Sequence, residues 1–225
     1  MNPQDKIDFH DVGQLTRQLT ELTITPPRFS IEISPEEAYN GLLASITAEI
    51  AHRRHTLALD ESTRRHLHEA ARWIIDQNGK PGLLLMGTCG NGKTTLMRAI
   101  ARLISFVSEK VLGYSQRLKP HLTTAKEVAR LIAAEATRAE YNAVTAEPLL
   151  FIDDMGAEPA EVISYGMVYN PLVDLIDVRY NRNLPTIITT NLTSKEIADK
   201  YGIRTLDRLR ELMHVIPFTN PSYRQ

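Results

Sequence analysis

Eight residues, Gly87-Thr88-Cys89-Gly90-Asn91-Gly92-Lys93-Thr94, constrain this chain more than any other stretch. They satisfy the phosphate-loop pattern G-x-x-x-x-G-K-[ST] at every fixed position. Glycines at 87, 90 and 92 let the backbone curl so that successive N–H groups face phosphate oxygens. Lys93 then reaches the β- and γ-phosphates as a point charge, and the Thr94 hydroxyl holds Mg²⁺. Thr88, Cys89 and Asn91 complete the cradle, with Thr95 following Thr94. Such a loop needs a strand before it and a helix after it. Leu83-Leu84-Leu85-Met86, bounded by Pro81-Gly82, reads as a short buried strand. Leu96, Ala99, Ile100, Leu103 and Ile104 then recur at helical spacing.

At 225 residues the chain suits one α/β domain with a helical appendage. Hydrophobic content of 43% supports a core, and 24% charged residues is ordinary for a soluble protein. No apolar run approaches the roughly 20 residues that span a bilayer. A start carrying Asp5, Asp8 and Asp11 does not read as a signal peptide, and a single cysteine makes no intrachain disulfide. A cytoplasmic, membrane-free protein is expected. The net charge of −1 argues against unspecific nucleic-acid binding by the whole chain. Between Arg98 and Arg138, however, eight basic residues face three acidic ones. That excess is a candidate contact for single-stranded DNA, set against solvated helix faces as the plainer account.

Taken in order, residues 1–33 read as an arm with one short helix around Leu15, Leu19 and Leu22. Ser34-Pro35-Glu36-Glu37 is a helix start with a capping box. A second helix is expected from near Ser62 to Asn78-Gly79. His52, His55, His66 and His68 fall here without a nearby cysteine, and read as surface or helix-end residues rather than a zinc site. Residues 111–114 suit a strand or turn, and His121–Thr124 a strand whose Thr124 caps a helix running to about Tyr141. Leu149-Leu150-Phe151-Ile152 is apolar on both faces, as a buried parallel strand must be, and ends in Asp153-Asp154. Asp153 would meet the Mg²⁺ beside Thr94, and Asp154 would orient or deprotonate the attacking water. Pro171 starts a further helix; residues 185–191 read as a strand; Thr193 and Glu196 box the helix that ends at Tyr201-Gly202. A helix with Arg204, Arg208 and Arg210 and a strand at 214–218 close the chain.

Five segments, GTCGNGKTT, LLFIDDMGAE, IDVRYNRNLPTIITTNLT, YGIRTLDRLRE and PSYR, together resemble the AAA+ ATPases. Within them the similarity is to the DnaC-type helicase loaders and the related IstB-type transposition ATPases, over roughly residues 70–225. The resemblance implies a P-loop NTPase fold, three αβα layers around a central parallel sheet. Residues 71–225 would form that core and residues 1–70 a helical, partner-binding region. It implies that Asn191 senses the γ-phosphate or attacking water. Arg208, or Arg204 one turn away, would be a finger reaching ATP on a neighbouring subunit, and Arg224 a further phosphate-sensing arginine. Asp154 stands where many AAA+ proteins carry glutamate, which implies slow hydrolysis. DnaC-type and initiator-type members carry a helical insertion before the acidic strand, often used to grip single-stranded DNA; the interval from Thr124 to Leu149 is short, which counts against that grip here.

The resulting expectation is an oligomeric ATPase, binding ATP and Mg²⁺, that loads a replicative helicase. A transposition ATPase contacting a transposase shares every site residue with it. A small-molecule kinase fits Asn191 and the late arginine helix less well. A nucleotide-gated binding module with little turnover is the fourth possibility.

Overall fold

The computed structural model describes residues 9–22, 28–52, 54–110, 119–164 and 166–223. Arg224 and the strand or turn expected at 111–114 lie outside them. Helix α1 (Val12–Leu22) precedes α2 (Pro35–His52). The capping box at the head of α2 forms as its sequence dictates: Ser34 N–H donates to Glu37 Oε2 at 2.8 Å, and Glu37 N–H returns a bond to Ser34 Oγ at 3.2 Å. Helix α3 (Glu61–Ile75) begins near Ser62 as expected, capped by Asp60, whose Oδ1 accepts Thr63 N–H at 2.7 Å, but it ends at Ile75, short of Asn78-Gly79. The division expected at residues 70–71 falls inside this helix.

The chain then runs through β1 (Gly82–Gly87), α4 (Lys93–Lys110), β2 (His121–Thr124), α5 (Ala125–Ala133), α6 (Arg138–Ala146) and β3 (Leu150–Met155). A single helix to Tyr141 does not form. Ala134 is extended, and the Thr137 hydroxyl bonds the carbonyls of Leu131 and Ala134, so α5 stops and α6 restarts beyond a 3-10 turn. A hairpin of β4 (Val162–Ser164) and β5 (Met167–Tyr169) follows, then α7 (Pro171–Asn181), β6 (Thr186–Thr190), α8 (Ser194–Tyr201), α9 (Ile203–Leu212) and β7 (Met213–Phe218).

Five strands form one parallel sheet in the order β2-β3-β6-β1-β7. Alternation along each strand divides the core in two. Leu83 and Leu85 of β1, Phe151 of β3 and Ile187 of β6 pack under α2, α3 and α4. Leu84, Leu150, Ile152 and Ile188, one residue out of phase, pack under α5, α7, α8 and α9. The expected three-layer αβα architecture is therefore the observed one. Pro217 lies on β7, an edge strand, where a missing N–H is tolerated.

One buried charge holds the lower rim. Arg179 of α7 is 1% exposed, yet donates to Thr186 Oγ1 (2.6 Å), Thr145 O (2.9 Å), Glu147 O (2.8 Å) and Pro185 O (2.6 Å). Burial pushes its guanidinium pKa down to about 9, which leaves it charged at neutral pH. It ties the ends of α6 and α7 to the start of β6. Arg179→Ala, measured by urea denaturation, is expected to cost about 3–5 kcal/mol, because the carbonyls it serves stay buried.

Candidate nucleotide-binding site

The loop after β1 is shaped by contact with the end of β7. Gly87, Gly90 and Gly92 take φ values of +157°, +82° and +100°, which side chains disfavour. At Gly87 a Cβ would also stand 2.2 Å from Phe218 O, so no larger residue fits. Asn91, 1% exposed, ties the loop down: its Nδ2 donates to Phe218 O at 3.1 Å, and its carbonyl accepts from Asn220 Nδ2 at 3.2 Å. Lys93 opens α4 and folds back over the loop, donating to Gly87 O (2.7 Å), Thr88 O (2.6 Å) and Asn91 Oδ1 (3.1 Å). The first N–H groups of α4 have no partner within the helix, so its start suits an anion.

A cleft of about 880 Å³ opens above the loop. Cys89, Gly90, Asn91, Gly92, Lys93, Thr94 and Thr95 line it; Gly87 and Thr88 enter the site through the carbonyls that hold Lys93. β3 and β6 bring Asp153, Asp154 and Asn191 to the same cleft. Thr94 Oγ1 donates to Asp153 Oδ1 at 2.8 Å. Two hard oxygen donors so placed fit Mg²⁺, which takes one or two carboxylate or hydroxyl oxygens and completes its shell with phosphate and water. Among the described residues no group of three or more His, Cys, Asp or Glu could hold a metal unaided.

The arginines of α9 lie away from this cleft. Arg204 is exposed, whereas Arg208 is paired with Asp177 of α7 and stands 5.2 Å from the Tyr180 ring. Arg98 and Arg102, from the basic stretch, pair with Glu49 of α2 at 3.7 and 3.1 Å. One histidine departs from the surface reading. His66 is 4% exposed, stacks on Phe218 at 3.9 Å, and contacts Pro217 O at 3.2 Å through Nε2. Burial pushes its pKa down. Thr63, His66, Leu67, Ala70 and Ile74 form the inward stripe of α3, so the periodicity that placed Leu67 also places His66.

Residues 48–225 match the family described as IstB-like ATP binding protein. The chain belongs to the IstB-like ATP-binding proteins. A comparison with curated proteins yields no match. Among solved structures the IstB-like chain is similar to the DnaC helicase loader, at 23% identity, TM-score 0.53, and coverage of 71% of this chain and 92% of that one. Similarity to DnaI is 22% identity, TM-score 0.56, covering 87% and 96%. AMPPCP-bound DnaA from Aquifex aeolicus shares 14% identity and a TM-score of 0.52, with 72% and 48% covered. These likenesses mark the P-loop AAA+ fold.

One further residue of this IstB-like site escapes a motif reading. Tyr223 N–H donates to Gly90 O at 2.9 Å, and its hydroxyl donates to Asp60 Oδ2 at 2.9 Å, so the segment after β7 crosses the loop and reaches the cap of α3. PSYR had singled out its arginine, not its tyrosine. Removing the Asn91 side chain unties the loop from β7. Asn91→Ala is expected to weaken a fluorescent ATP analogue about 5–30-fold in a binding titration, as one or two lost hydrogen bonds to a buried partner would.

Proposed function

We propose that this chain is an ATP-hydrolysing switch that works as a homo-oligomer on a DNA-replication partner, as a helicase loader does. The observation that carries the reading is convergence. Lys93 and Thr94 from one loop, Asp153 and Asp154 from β3, and Asn191 from the end of β6 meet at one cleft. A phosphate-binding protein without turnover needs the first two residues, but has no use for a second acid and an amide beside them.

In this reading ATP lies with its phosphates on the loop and against Lys93. Bound Mg²⁺, held by Thr94 and Asp153, would offset the phosphate charge. Asp154 takes the proton of the attacking water, which Asn191 helps to orient. An arginine on α9 of the next subunit meets the charge that spreads over the γ-phosphoryl oxygens; a finger supplied in trans is worth roughly 10³–10⁵ in rate. Arg208 is the first candidate and exposed Arg204 the second, with Arg224 as a further sensor. The partner docks on the amino-terminal region. There α1 presents Val12 and Leu19 at 72% and 54% exposure, an apolar face for a helical groove or bundle. The likeness to the DnaC helicase loader supports a replicative helicase as that partner; a transposase is the alternative outcome. Single-stranded DNA is the candidate activator.

Steady-state ATPase assays on the full chain, with and without single-stranded DNA, test the reading. Lys93→Ala is expected to reduce turnover to background. Mixing it with Arg208→Ala subunits should restore part of the activity, since each contributes the half the other lacks. Arg204→Ala in place of Arg208→Ala separates the two candidates. No turnover by wild type at concentrations that permit assembly would leave a nucleotide-gated binding module instead. Recovery of a transposase rather than a helicase on full-length bait would replace the partner.

A further inference from the structure

Adjacent residues of a strand point to opposite faces, yet Asp153 and Asp154 both line one cleft. The β3–β6 pairing shows how. Ile152 stands opposite Ile188 and Met155 opposite Thr190, so two residues of β3, Asp153 and Asp154, face the single residue Thr189. This is a β-bulge, a device that re-aims side chains beside active sites and is rare between parallel strands. Asp154 takes φ +57°, in the left-handed region where aspartate is one of the few tolerated residues.

A bulge breaks the ladder, and its backbone groups need other partners. Thr189, 0% exposed, supplies them through one hydroxyl. Its Oγ1 accepts Asp154 N–H at 2.9 Å and donates its own proton to Asp153 Oδ1 at 2.6 Å. The same carboxylate oxygen accepts the Thr94 hydroxyl, so both of its hydrogen bonds come from threonines on opposite sides. Next along, Thr190 Oγ1 donates to Met155 O at 2.7 Å and closes the far end of the bulge.

We infer that Thr189 is the positioning residue of the site. Its hydroxyl holds the bulge that turns two consecutive acids toward one cleft, and it orients Asp153 for the cation held with Thr94. The inference rests on the hydrolysis reading above for its kinetic arm, and not for its binding arm. A purely structural threonine would be replaceable by valine at no cost to cation use. A positioning hydroxyl would be replaceable by serine alone.

The test compares Thr189→Val and Thr189→Ser with wild type, with folding checked by circular dichroism and thermal melting. A fluorescent ATP analogue is titrated in EDTA and then at rising Mg²⁺. In Thr189→Val the Mg²⁺ midpoint for tight binding is expected to rise about 10–100-fold, the usual consequence of losing a hydrogen bond to a metal-holding group. Affinity in EDTA stays near wild type, and Thr189→Ser restores the midpoint. In turnover, Thr189→Val is expected to lower kcat about 10–100-fold while KM for ATP moves little. Should the valine variant not fold, Thr189→Cys, a weak donor of similar size, takes its place with the same expectations. An unchanged Mg²⁺ midpoint overturns the inference, as does equal loss in EDTA or a serine variant that behaves like valine. A wild type that binds but never hydrolyses removes the hydrolysis reading, and the Mg²⁺ titration still decides the role of Thr189.

Discussion

The hydrogen bond between Thr94 and Asp153 spans a gap that the sheet alone would keep open. The strands that deliver them, β1 and β3, are not neighbours, because β6 lies between them. At roughly 4.8 Å per strand they run nearly 10 Å apart. Contact is made because Thr94, in the first turn of α4, and the bulged Asp153 meet across β6, whose Thr189 bonds the same carboxylate oxygen. Every other catalytic candidate follows from that placement. Asn191 is close because it ends the intervening strand, and Thr189 is close because it faces the bulge. A parallel sheet gathers its carboxyl ends on one edge, and here three of those ends build one cleft.

The elements were legible where local chemistry sufficed. Caps at Ser34, Thr124 and Thr193 marked helix starts, and unbroken apolar runs marked β1, β3 and β6. Motif and strand end point to the loop residues, Asp153 and Asp154, and the family resemblance points to Asn191. What stayed hidden depended on partners far along the chain. Nothing local in Arg179 says that it serves three carbonyls, two at the end of α6 and one before β6. His66 has the period of a core residue and the chemistry of a surface one. The bulge arises from a count between two strands more than thirty residues apart, which no single-strand pattern contains. The β4–β5 hairpin carried a weak signal, the glycine at 166 between short β-branched runs, and it went unread.

The arginines illustrate a different limit. Their spacing on α9 identifies a helix face, but the role the family resemblance gives them lies in a second subunit. Within one chain Arg208 already has a carboxylate beside it in Asp177. An ion pair of this kind holds the guanidinium in one orientation within the chain. It also adds a cost to any rearrangement that moves it toward a phosphate.

The dependence of the loop on β7 has a consequence for how the protein comes to exist. Asn91 and the Phe218 carbonyl that anchors it are 127 residues apart in the chain. During synthesis β1 and its glycines leave the ribosome long before their outer neighbour is made, at about 5–20 residues per second. Until β7 arrives, the cradle lacks the carbonyl that holds Asn91, and β1 is an unprotected edge of apolar residues. The shape of the loop is thus completed only once the last strand is in place.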